Sequence, residues 1–143
     1  AETIENNIGK EIVERTQSNP KYYEKMSSLL RELVEKRKND VINYEEYLHQ
    51  IVELARKVHQ PGSTTEYPFG IRESAAKRAF YDFVDGNVSV ANQIYDAVMS
   101  SKQDHFRGSK IKERKIWRAI RAVVKDDSKA DQLLALVKEQ SEF

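Results

Sequence analysis

Asn43-Tyr44-Glu45-Glu46-Tyr47-Leu48 opens a helix that Leu48, Ile51, Leu54, Ala55 and Val58 carry to about His59. Asn43 is placed to cap the free amides of the first turn, and Glu46, three residues on, to reach back to the cap, as in a capping box. Ile42 before the cap and Tyr47 after it are placed as a hydrophobic staple. The apolar residues recur near a period of 3.6, which gathers them on one helix face.

The same period runs outward in both directions, and no stretch alternates as a strand does. Upstream, Ile4, Ile8 and Ile12 predict a helix over 3–15 with one apolar stripe. Asn19-Pro20 is a helix start, because Asn caps free amides and Pro in the first turn has no amide to leave unpaired. That helix runs to about Lys38, with Tyr22, Met26, Leu29 and Leu33 in one row and Tyr23, Leu30 and Val34 beside it, and Asn39-Asp40 ends it. Short links predict that these three helices pack as antiparallel neighbours.

Downstream, residues 60–70 hold two prolines and two glycines and read as a loop, with Tyr67 and Phe69 expected to pack down. Ile71, Ala75, Ala79, Phe80, Phe83 and Val84 predict a fourth helix, closed by Asp85-Gly86-Asn87 with Gly86 at the left-handed position. Asn87 or Ser89 caps a helix bearing Ala91, Ile94, Tyr95, Val98 and Met99; Asp104–Gly108 is a turn. Ser109 caps the next helix, with Ile116, Ile120 and Val123 inward and Trp117 and Val124 flanking them. Asp126-Asp127-Ser128 breaks it before a last helix marked by Leu133, Leu134, Leu136 and Val137. The reading is an all-α bundle of about seven helices. It forms one domain over 1–143, with 60–70 as the place where two packed helical halves would part.

Composition narrows the classes. The chain has no cysteine, which excludes disulfides, thiolate metal sites and a cysteine nucleophile, and suits a reducing, cytoplasmic setting. No apolar run approaches the roughly 18 residues of a membrane span, and no signal-peptide pattern is present. The first residue is Ala1 rather than Met, which predicts a fragment or a processed chain.

Enzyme chemistry finds little footing. His49, His59 and His105 do not stand at ligand spacing and read as surface or boundary residues, so no metal site is expected. The five glycines fit neither a phosphate-binding loop nor a dinucleotide fingerprint, and no nucleophile elbow occurs. Glu45 with Glu46, Asp82 with Asp85 and Asp126 with Asp127 are carboxylate pairs by adjacency, each with a local role in a first turn or a cap. The seven tyrosines read as boundary residues with a buried ring and a wet hydroxyl rather than a base-stacking surface.

Charge distribution is the strongest functional signal. Residues 107–125 carry eight cations, Arg107, Lys110, Lys112, Arg114, Lys115, Arg118, Arg121 and Lys125, against the single acid Glu113. That segment is net +7, which leaves −6 for the remainder of a chain whose total is +1. Lys110, Arg114, Arg118, Arg121 and Lys125 step by 4, 4, 3 and 4, which stacks them on one face, away from Ile116, Ile120 and Val123. Such a face can hold a nucleic-acid backbone, dock on an acidic protein, or remain solvated or fold back on the domain's own acids. It lacks a base-reading pattern, so DNA contact would be independent of sequence. Trp117 borders the inner row and reads as core rather than as a stacking residue.

The order of motifs carries a resemblance. Thr3-Ile4-Glu5-Asn6-Asn7-Ile8 is followed by Asn19-Pro20-Lys21-Tyr22-Tyr23-Glu24-Lys25-Met26, Leu29-Leu30, Ile42-Asn43-Tyr44-Glu45-Glu46-Tyr47-Leu48 and Glu53-Leu54-Ala55. Ala76-Lys77-Arg78-Ala79-Phe80-Tyr81-Asp82, Phe106-Arg107-Gly108, Lys112-Glu113-Arg114-Lys115 and Leu133-Leu134-Ala135-Leu136-Val137-Lys138-Glu139-Gln140 complete it. Over roughly 3–143 the chain resembles the C-terminal helical region of type I restriction enzyme R subunits; Gly9 and Phe106 depart from the pattern. The resemblance implies a non-catalytic module of a larger site-specific deoxyribonuclease that uses ATP and Mg to translocate double-stranded DNA. It implies methyltransferase and specificity subunits as partners, and a tail that helps the motor join them and touches DNA. None of the nuclease or ATPase motifs lies in these residues. Two other readings stand beside it: a free-standing helical nucleic-acid-binding protein, and an enzyme with a closed titratable pocket.

Overall fold

Side-chain caps set the helix boundaries. Asn19, Asn43, Ser74, Asn87, Ser109 and Asp126 each accept a backbone N–H three residues on, opening six of the helices. Each such cap is worth about 1 kcal/mol. The computed structural model describes residues 1–63 and 66–143, and Thr64 and Thr65 of the predicted loop lie outside them. Among the described residues the chain is all-α: α1 (Glu2–Arg15), α2 (Pro20–Lys38), α3 (Tyr44–His59), α4 (Ala75–Phe83), α5 (Val88–Ser101), α6 (Lys110–Val124) and α7 (Asp127–Lys138). No helix among them is long and apolar enough to cross a membrane. The chain divides into two compact units, Ala1–Glu66 and Tyr67–Phe143.

In the first unit, α1, α2 and α3 run up, down and up. Glu5 near the start of α1 pairs with Arg37 at the end of α2. The Tyr22 and Tyr23 hydroxyls at the start of α2 donate to the Lys57 and Val58 carbonyls at the end of α3. Ile8, Ile12, Met26, Leu33, Ile51, Leu54 and Val58 fill the space between them. Each such buried side chain contributes roughly 1.5–3 kcal/mol. The first stripe holds at Ile8 and Ile12 and departs from the prediction at Ile4. Ile4 is 43% exposed, and Glu5 beside it is buried against Arg37 and Tyr47. Glu46 also departs, because its carboxylate turns forward along α3 to accept Gln50 Nε2.

In the second unit, α4 packs on α5, α5 on α6, α6 on α7, and α7 back on α4. Ile71, Phe80, Ile94, Val98, Ile116, Ile120, Leu133 and Val137 are fully buried, and Ala76, Ala79, Ala91 and Ala130 let the backbones approach. Ile71 fits the period of α4 yet precedes it. It sits in a turn closed by its own N–H on the Pro68 carbonyl, and Ser74 opens the helix instead. Tyr67 packs down as predicted and donates to Asp82 Oδ2 at 2.5 Å, whereas Phe69 is 88% exposed. Val123, predicted on an inner face, is half-buried, and Met99, one of the residues that mark α5, is exposed. At the close of α4, Asp85 and Gly86 both take positive φ, 55° and 87°. The Gly86 N–H bonds the Tyr81 carbonyl, so Asp85 holds the first left-handed position.

The tyrosines correct another expectation. Tyr22, Tyr23, Tyr47 and Tyr67 are core residues whose hydroxyls donate to protein acceptors, while Tyr81 and Tyr95 are half-buried, as a boundary residue is. Low dielectric makes an unsatisfied hydroxyl expensive, so each of these bonds fixes one element against another.

Candidate interaction surface

The basic face sits on α6, and capping fixes its start. Ser109 Oγ accepts the Lys112 N–H, while Glu113 folds back to accept the Gly108 N–H at 2.6 Å and pairs with Lys138 Nζ at 3.3 Å. Glu113 is the one acid of the helix, and these bonds turn it towards α7. Ile116 and Ile120 are fully buried, which fixes the rotation of the helix and points the opposite face outward. At the far end Lys125 takes the left-handed conformation, φ 56°, with its N–H on the Arg121 carbonyl. Asp126 then caps α7 at once, so the predicted three-residue break is a two-residue corner in which Asp127 already belongs to α7.

The eight predicted cations divide into two groups. Lys110, Arg114, Lys115, Arg118 and Lys125 are exposed. Among the described residues no acid pairs with them; Arg114 lies over the Trp117 ring at 5.7 Å, a cation–π contact. The other three are tied down. Arg121 pairs with Asp127 at 2.6 Å across the α6–α7 corner. Lys112 Nζ donates to the Asp104 carbonyl at 2.7 Å. Arg107 donates to the carbonyls of Lys138, Gln140 and Phe143, so its guanidinium caps the end of α7 and stands apart from the stripe. Trp117 is half-buried between α6 and α7, its indole N–H on Asp131 Oδ1 at 2.7 Å.

Ile111, which the period leaves unassigned, is 76% exposed on this face. Its helical neighbours at one, three, four and seven positions are Lys110, Arg114, Lys115 and Arg118. The signal was present in the spacing, since Ile111 falls off the row of Ile116 and Ile120.

Elsewhere the candidate chemistry resolves into structure. Glu45 and Glu46 lie in the first turn of α3, Asp82 accepts the Tyr67 hydroxyl, and Asp126 and Asp127 cap and pair. His49, His59 and His105 are exposed, and His59 Nδ1 shares a hydrogen bond with Glu11 at 2.8 Å. Among the described residues no group of His, Cys, Asp or Glu is gathered to hold a metal ion. A groove of about 230 Å³ runs between α2 and α3, floored by Leu29, Leu33 and Leu54 with mixed charges on its rim. Compared with protein-family models, curated proteins and solved structures, the chain matches none.

Proposed function

We propose that the chain is a non-catalytic helical module of a type I restriction R subunit. In this reading it helps hold the ATP-dependent DNA translocase and endonuclease in its complex by docking the α6 face on a polyanionic surface there. The order of motifs supports the family reading. The observation that carries the docking role is the group Lys110, Arg114, Lys115, Arg118 and Lys125, exposed along about 22 Å of helix with no acid among them. Like charges gathered on one rigid element repel one another, and an anionic partner relieves that repulsion while steering its own approach.

The test is retention of the chain on a methyltransferase–specificity core, alongside anisotropy with a short DNA duplex at low and moderate salt. Wild type is retained on the core. Lys115→Glu with Arg118→Glu weakens retention at least about tenfold, because two attractions become repulsions. Unchanged behaviour of this double variant in both assays overturns the role of the face. Duplex binding that fades with salt, with no retention on the core, is the result expected of a free-standing nucleic-acid-binding protein.

A further inference from the structure

We infer that the polyanion this face fits is an acidic protein surface with an apolar socket, and that Ile111 is the anchor seated in it; this rests on the docking role proposed for α6. A nucleic-acid backbone offers phosphate and sugar at every step, and cations alone satisfy it. It offers little to an apolar side chain that its own protein leaves exposed. Ile111 is 76% exposed, so its side chain finds little cover on this chain. Around it stand Lys110, Arg114, Lys115 and Arg118. An apolar centre within a charged rim is the anatomy of a protein–protein contact, in which a few buried side chains carry the affinity and the rim excludes water and selects the partner.

The anchor is also held in place. Ile111 lies in the first turn of α6, where Ser109 caps Lys112 and Glu113 ties back to Gly108. Seating a side chain on a pinned helix start orders little that was free, so more of the apolar contact appears as affinity. The partner this describes is a protein surface rich in Asp and Glu around a socket lined by leucine-like side chains.

The experiment titrates the whole chain with three probes. One is a peptide of glutamates with leucines at helical i, i+3, i+4, i+7 spacing; the second is the same peptide with serine at every leucine; the third is a short DNA duplex. Wild type is expected to bind the leucine peptide about tenfold more tightly than the serine peptide, the scale of one apolar side chain taken out of water. Ile111→Ser removes that difference and leaves duplex binding as it was, while Ile111→Leu keeps the difference. Arg118→Glu weakens both peptides. If Ile111→Ser leaves the difference intact, or wild type does not distinguish the peptides, the anchor is overturned and the cationic role stands. If Ile111→Ser weakens the duplex instead, the apolar contact is to bases and the inference is overturned. If Arg118→Glu changes none of the three, the docking role itself falls.

Discussion

Glu5 and Arg37 stand 32 positions apart and meet as a two-pronged ion pair, with Nε and Nη2 of the guanidinium donating to the two carboxylate oxygens at 2.7 and 2.9 Å. The Tyr47 hydroxyl donates to the same carboxylate at 2.6 Å, so one buried acid joins α1, α2 and α3. Glu5→Ala strands the Tyr47 hydroxyl in the core and is expected to cost about 1–3 kcal/mol in urea unfolding. Tyr47→Phe leaves the ion pair in place and costs about 1 kcal/mol.

The same cluster contributes to the pH response of the first unit. The hydrogen bond from Arg37 holds the Glu5 carboxyl below its ordinary value of 4.5, with burial opposing. The folded state therefore binds fewer protons there, and stability present above that value is lost as the pH falls below it. Burial, and then the Glu5 carboxylate, push the Tyr47 hydroxyl from 10.0 up to about 12. Its contribution is full below pH 10 and is lost as the pH rises towards about 12. Circular dichroism across pH is expected to show both limbs. Tyr47→Phe should flatten the alkaline limb, and Glu5→Gln the acid one.

Two backbone positions are occupied by the less suitable residue. Asp40 follows α2 at φ 52°, and the Val41 N–H returns to the Lys36 carbonyl, a helix stop in which glycine carries no Cβ penalty. Gly9 lies inside α1, where an added Cβ would meet Leu30 Cδ2 at an ordinary 3.9 Å. Asp40→Gly and Gly9→Ala, opposite exchanges, are each expected to stabilise the fold by about 0.5–1 kcal/mol in chemical denaturation.

Asn87 and Ser89 both look like caps for α5, and the structure separates them. Asn87 Oδ1 accepts the Val90 N–H at 3.1 Å, while Ser89 Oγ accepts Gln93 Nε2 from within the helix. Asn87→Ala is expected to cost about 1 kcal/mol and Ser89→Ala less than about 0.5 kcal/mol, read from thermal unfolding.

Arg107 and Arg118 belong to one run of positive charge yet should answer differently. Arg107→Ala frees the carbonyls of Lys138, Gln140 and Phe143, and hydrogen exchange at Glu139 and Gln140 is expected to accelerate while partner binding holds. Arg118→Ala should leave exchange unchanged and weaken binding.

Most helix starts were legible because a cap is local chemistry: Asn19, Asn43 and Ser109 each act on an amide three residues away. The outward stripe of α6 was legible for a similar reason, since Lys110, Arg114 and Arg118 need only a fixed pitch to align. Long-range pairing was not. Nothing local marks Glu5 for burial, because Arg37 and Tyr47 lie 32 and 42 positions away, and Arg107 reads as one more cation until the end of α7 returns to it. Ile71 misled because periodicity counts apolar residues and is blind to whether a turn or a helix presents them. Phe69 misled because its aromatic ring promised burial that the loop does not provide.

Trp117 is the chain's single tryptophan, and it lies in the second of the two units. Its emission is thus a private channel for Tyr67–Phe143, and the tyrosine-rich helices of Ala1–Glu66 are silent in it. An unfolding curve followed by indole fluorescence times the collapse of the α6–α7 contact alone, while the helical signal in the far ultraviolet sums both units. Overlaying the two traces turns one residue's position into a direct reading of whether the halves melt together or in turn.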